Sequence, residues 1–210
     1  MYPWSSFVKL KLGQDAGDLG PLKYVIASLP RSGTAFIYST LKQLLKPQGR
    51  YAGHERVFTP GGVDLTKTAI DVDVSGFVAP YLPLEIPVFH VVRHPVEWAN
   101  SVLNFFPGWF LEEKPTEKDW FDVLNVWVMW HDVCRRNAVA TVQVEDGKTL
   151  WDNIRVFLKL PRVDGILEEA IGQARRNGGP RTKVYGTWTD LPDGVRQAAE
   201  CYGYRRKVDA

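Results

Sequence analysis

The segment Pro30-Arg31-Ser32-Gly33-Thr34 combines residue types and spacing that suit an anion. It follows an apolar run, Tyr24-Val25-Ile26-Ala27-Ser28-Leu29, and opens onto a helical pattern. A strand, a glycine-containing turn and a helix start together leave backbone N–H groups pointing outward, and the helix dipole adds partial positive charge. Arg31 adds a full positive charge, and Ser32 and Thr34 add hydroxyl donors. The loop is not a Walker A motif: Thr34 follows Gly33 directly and no lysine is present.

A second polar loop follows a second apolar run. Val88-Phe89-His90-Val91-Val92 reads as a strand buried on both faces, and Arg93 ends it. Ser101 lies eight residues later on the helix expected to follow. A guanidinium matches a phosphate because its fork donates two parallel hydrogen bonds, and Ser101 can add another. Gly53-His54-Glu55-Arg56 is a third cluster of reactive types. It is not a zinc-protease motif, since the second histidine would fall at Phe58. His90, His94 and His131 have no ligand spacing, so no metal is expected.

These loops need elements to hold them. Ile37, Leu41, Leu44 and Leu45 fall on one helical face, which Pro47 and Gly49 bring to an end. Pro95 suits the first turn of a helix whose apolar face is Trp98, Ala99, Val102, Leu103 and Phe106. A third helix is predicted from about residue 116 to 137, with Thr116 and Asp119 resembling a capping box and Trp120, Val123, Leu124, Trp127 and Trp130 on its apolar face. A strand over 139–144, a helix near 150–160 and a helical tail over 192–202 complete the pattern. Strands alternating with helices predict an α/β fold of three layers, a central parallel sheet of about four or five strands flanked by helices. Ligands in such folds sit beyond the carboxyl ends of the strands, where both polar loops lie.

The chain has 210 residues, 45% hydrophobic and 24% charged, which fits one globular domain over 1–210 with 1–22 as a loosely packed arm. A net charge of +2 is too weak to argue for nucleic acid, whose binding needs a basic stripe. The two cysteines, Cys134 and Cys201, form no Cys-x-x-Cys pair and read as idle thiols. No signal peptide and no membrane span is evident, so a cytoplasmic protein is expected.

Residues 30 to 34 resemble the 5'-phosphosulfate loop of sulfotransferases dependent on 3'-phosphoadenosine 5'-phosphosulfate (PAPS), whose pattern is Pro-[Lys/Arg]-Ser-Gly-Thr-Thr-[Trp/Phe/Leu]. The P-loop-like resemblance implies that Arg31, Ser32, Gly33 and Thr34 hold the phosphosulfate and that Arg31 stabilises the bridging oxygen. Phe36 stands where many members carry an aromatic residue packed on the adenine. Ala35 replaces the second threonine, which removes one hydroxyl donor and weakens cofactor binding by about 1 kcal/mol. Arg93-His94-Pro95 with Ser101 resembles the family's second element, Arg-[Asp/Asn/His]-Pro-x-x-x-x-x-Ser, which binds the 3'-phosphate. Val144-Glu145-Asp146 is similar to the family's Tyr-Glu-Asp segment, and equally to a strand end with a helix cap. Arg181, Lys183 and Gly186-Thr187-Trp188 loosely resemble a stretch that closes over the 3'-phosphate, which makes Arg181 a further cofactor contact.

In tyrosylprotein and several bacterial sulfotransferases a glutamate follows the first helix as general base, and Glu55 matches it by position, with His54 as the second choice. The histidine that cytosolic members use instead is absent from Pro80-Tyr81-Leu82-Pro83, and Tyr81 is left as a candidate lining of the acceptor site. Trp109 is a candidate acceptor contact. The resemblance thus implies sulfuryl transfer from PAPS to a hydroxyl or amine acceptor, leaving PAP. Two other readings stay open. One is a P-loop-type kinase of a nucleotide or small molecule, with Asp71 and Asp73 in a weak strand as candidate Mg²⁺ ligands. The other is a non-catalytic nucleotide-binding module.

Overall fold

The computed structural model describes residues 13–59, 62–64, 66, 69–105, 117–161 and 183–205. The first part of the chain runs β1 (Tyr24–Ala27), α1 (Thr34–Leu45), β2 (Ala52–His54), β3 (Phe58–Thr59), β4 (Gly62–Val63), β5 (Val72–Ser75) and β6 (Val88–Val92). It continues through α2 (Pro95–Phe105), α3 (Glu117–Asn137), β7 (Ala140–Gln143), α4 (Gly147–Phe157) and α5 (Asp193–Cys201). Five strands form one sheet in the order β2-β5-β1-β6-β7, and every pairing is parallel. β3 and β4 form a separate antiparallel pair.

Side-chain alternation on the strands builds two cores. Ile26, Val72, Val74, Phe89 and Val91 face α1 and α4, where Ile37, Leu41, Leu45, Leu150, Trp151 and Ile154 close one layer. Val25, Ala27, Val88 and Val92 face the opposite layer, filled by Trp98, Val102 and Leu103 of α2, Trp120, Leu124, Trp127 and Trp130 of α3, and Val195 and Ala199 of α5. The result is the α/β three-layer arrangement expected for a parallel sheet, whose unpaired faces must both be covered.

Local signals place the helix ends. α1 starts at Gly33, whose φ of 87° is left-handed, and yields through a 3₁₀ turn at Lys46–Gln48 to Gly49, with φ of 66°. The Asp146 side chain accepts the Thr149 N–H at 3.2 Å, so α4 begins at Gly147, earlier than its apolar pattern indicates.

β5 corrects one expectation. It is no weak strand: Val72, Asp73, Val74 and Ser75 are fully buried between β2 and β1. Its alternation of valine with Asp73 and Ser75 hid it, because the polar pair also points inward. Residues 13–22 of the expected arm lie against the body, with Leu22 buried and the Gln14 N–H donating to the Pro80 carbonyl at 2.8 Å.

Candidate functional site

The loop after β1 carries unusual backbone. Arg31 has φ of 70° and Gly33 has φ of 87°. A side chain at Gly33 would place its Cβ 2.9 Å from Val144 Cγ2, so both conformation and space require glycine. Arg31 has no such excuse: a non-glycine residue in the left-handed region stores strain that surrounding contacts must hold.

Those contacts come from two tryptophans and an arginine. Trp98 Nε1 on α2 donates to the Pro30 carbonyl at 2.7 Å. Arg93 Nη1 donates to the Arg31 carbonyl at 2.5 Å. Trp127 Nε1 on α3 donates to the Arg93 carbonyl at 2.9 Å. Both tryptophans were expected as core and are buried, but their indole N–H groups also fasten the two polar loops to each other. No sequence signal separates this role from packing.

The two loops meet directly. Arg31 Nε donates to Ser101 Oγ at 3.3 Å, across 70 residues of sequence. Burial, and secondly the Arg93 charge, hold the Arg31 guanidinium below its ordinary pKa. Two cations brought this close, one of them partly desolvated, form a site that an anion relieves. Ser32 Oγ is buried and has no hydrogen-bond partner among the described residues. A buried hydroxyl left unpaired costs about 1–3 kcal/mol, which a ligand oxygen recovers. This chemistry fits a bound anion. Thr34 is buried at the start of α1, Ala35 is exposed, and Phe36 is half-buried with its ring edge-on to Trp151 at 5.8 Å.

The third cluster joins the first. His54 ends β2, and its Nε2 lies 3.1 Å from Thr34 Oγ1 and 3.8 Å from Glu55 Oε1. The His54 ring stacks on Tyr38 at 5.6 Å. Glu55 has φ of 53°, so Arg31 and Glu55 both occupy the left-handed region. Burial, and secondly the Asp73 charge, push the Glu55 carboxyl up to about 7, while burial and then Arg56 lower His54. A carboxyl poised near neutrality is suited to take a proton.

Asp73 sets this loop. Its two oxygens accept the N–H groups of Arg56, Val57 and Phe58 at 3.1, 3.2 and 3.1 Å. Burial raises its pKa against the lowering effect of those bonds. A Cβ on Gly53 would fall 2.8 Å from Asp73 Oδ1, so the glycine lets the strand pass. The Asp73 oxygens are thus occupied by backbone. Asp71 is taken up by Lys23 at 3.0 Å and the Tyr51 N–H at 3.0 Å. Among the described residues no group of three or more His, Cys, Asp or Glu is placed to hold a metal ion.

Other candidates fall as follows. Glu145 accepts the His94 N–H at 2.9 Å and the Tyr204 hydroxyl at 2.8 Å, so it braces the loop after β6. Tyr81 is buried against Phe58 at 5.5 Å. Arg181 and Trp109 lie outside the described residues. Among the described residues no helix is long and apolar enough to cross a membrane.

No family model matches the chain, and no curated protein sequence matches it. Among solved structures it is similar to a mouse sulfotransferase, SULT7A1, complexed with PAP, at a TM-score of 0.53 and 13% identity over 87% of this chain and 82% of that one. At that identity the likeness is one of fold: a parallel five-stranded α/β sheet with helices on both faces.

Proposed function

We propose that the chain, as one domain over 1–210, is a sulfotransferase that moves a sulfuryl group from PAPS to a hydroxyl or amine acceptor. The observation that carries it is the convergence of three separate loops, with Arg31 on Ser101 and His54 on Thr34. The fold likeness to a PAP-bound sulfotransferase supports it.

PAPS, when bound, supplies the activated sulfuryl group. Arg31, Ser32, Gly33 and Thr34 hold the 5'-phosphosulfate through the turn N–H groups, hydroxyls and guanidinium. Arg93 and Ser101 hold the 3'-phosphate, Phe36 borders the adenine, and Arg181 is a further contact. Glu55 takes the proton from the acceptor at a carboxylate oxygen, and its partly dry surroundings keep its pKa near the working range. His54, held below its ordinary pKa, stays neutral and ties the Glu55 loop to Thr34.

The test is calorimetric titration of 3',5'-adenosine diphosphate into wild type and Arg93→Ala without metal, followed by transfer from PAPS to an acceptor panel. Binding that falls at least about tenfold in the variant (about 1.4 kcal/mol), with turnover lost in Glu55→Gln, is expected. Folded wild type that ignores the nucleotide but binds ATP with Mg²⁺ overturns the proposal in favour of a kinase.

A further inference from the structure

The segment 183–188 lies along α2 and is attached to it in an unusual way. Asn104 Oδ1 accepts the Lys183 N–H at 3.0 Å, and Asn104 Nδ2 donates to the Lys183 carbonyl at 2.6 Å. One turn earlier, Asn100 Oδ1 accepts the Tyr185 N–H at 2.7 Å, and Asn100 Nδ2 donates to the Gly186 carbonyl at 2.9 Å. Two amides four residues apart thus pair with main-chain groups as a neighbouring strand would. Beyond them the Trp188 ring meets the His94 ring at 5.3 Å. The segment therefore runs antiparallel to α2, from Asn104 back to the residue after Arg93.

The fit is tight. Gly186 is buried, and a Cβ there would sit 2.5 Å from Trp120 Cε2 of α3. Asn100 is buried, and Ser101 follows it on the same turn, in contact with Arg31. Lys183, exposed, lays its ammonium over the Tyr185 ring at 4.4 Å.

Resting on the nucleotide site proposed above, we propose that Asn100 and Asn104 are positioning residues. Their amides fasten the 183–188 strap beside Ser101 and Arg93, so that the strap forms the wall against which the 3'-phosphate end of the nucleotide closes. Neither asparagine touches the ligand. They act by fixing main chain that would otherwise have to be ordered on binding, at an entropic cost charged to affinity.

The test compares 3',5'-adenosine diphosphate with 5'-adenosine monophosphate, which lacks the 3'-phosphate, by calorimetry without metal. Asn104→Ala is the first variant because Asn104 is only half-buried. Gly186→Ala is the second; it leaves α2 intact and pushes the strap off Trp120. Wild type is expected to prefer the diphosphate. Each variant, shown folded by circular dichroism, is expected to narrow that preference about tenfold or more while keeping monophosphate affinity within about twofold. Amide exchange at Lys183 and Tyr185 is expected to quicken in Asn104→Ala. If wild type prefers the diphosphate and a folded variant keeps the full preference, the clamp has no positioning role, while the nucleotide site stands. If wild type shows no preference, the nucleotide reading itself fails and the proposal falls with it.

Discussion

Replacing Glu55 by glutamine should remove turnover and make the protein more stable at alkaline pH. The carboxyl of Glu55 is pushed from 4.5 to about 7 by burial and by Asp73. Below pH 4.5 it is protonated in both folded and unfolded chains and costs nothing. Between pH 4.5 and about 7 the unfolded chain ionises first, so wild-type stability falls as pH rises. Above about 7 the penalty is complete. At about 1.4 kcal/mol per pH unit, the raised pKa makes the penalty about 3 kcal/mol. With the side chain 25% exposed, solvent screening makes that figure an upper bound. Glutamine keeps the shape without the charge. Urea unfolding of both proteins from pH 4 to 8 should give a difference near zero at pH 4 that grows to at most about 3 kcal/mol in favour of Glu55→Gln at pH 8. In the wild type, kcat/KM should fall about tenfold per unit below pH 7. A stability difference that stays flat with pH, or a rate limb near 4.5, would refute a buried base at this position.

Three further outcomes follow from the same geometry. His90 and His131, buried and 2.7 Å apart, are both held neutral chiefly by burial, with His90 near 3 and His131 well below its ordinary value. The unfolded chain takes up protons below about 6.5 that the folded chain refuses. Stability in the Glu55→Gln background should therefore fall as pH drops from 6 to 4, by about 1.4 kcal/mol per pH unit from His90 with a further loss in the same direction from His131, measured by urea unfolding; a flat profile contradicts the buried pair. Lys159 sits at φ of 56° after α4, where Leu160 N–H bonds the Arg155 carbonyl and Lys159 N–H bonds the Val156 carbonyl. That is a Schellman cap without its glycine, so Lys159→Gly should stabilise by about 1 kcal/mol in thermal unfolding. Trp98→Phe keeps the bulk but leaves the Pro30 carbonyl unpaired, and should cost about 1–3 kcal/mol of stability and weaken binding of 3',5'-adenosine diphosphate; unchanged binding would show that the indole only fills space.

The two loops were legible because each is a local event. A buried run, then Arg31 and Gly33 or Arg93 and Pro95, then a 3.6-residue pattern needs only neighbouring residues to be read. The helix over 117–137 and the strand at 88–92 were equally local. β5 was not, because its Asp73 and Ser75 are buried for reasons found elsewhere: Asp73 binds the backbone at 56–58 and Ser75 Oγ donates to the Phe58 carbonyl. The αL conformations of Arg31 and Glu55 carry no sequence mark either, since nothing in either side chain asks for them.

Sequence alone thus determined β1, β6, β7 and the helices around the two loops, and so the class of sheet and the positive loops at its edge, whereas β2, β3 and β4 carried no such local signal and β5 read only as a weak strand. Tertiary structure decided what holds those loops in register. Asn104 reaches a residue 79 positions away, Trp98 reaches one 68 away, and Arg93 reaches one 62 away. A side chain's amide, indole or guanidinium has no periodicity that announces its partner. Only the folded sheet, bringing distant main-chain groups within 3 Å, lets an asparagine hold a strap 79 residues away and pushes an ordinary glutamate carboxyl up to about 7.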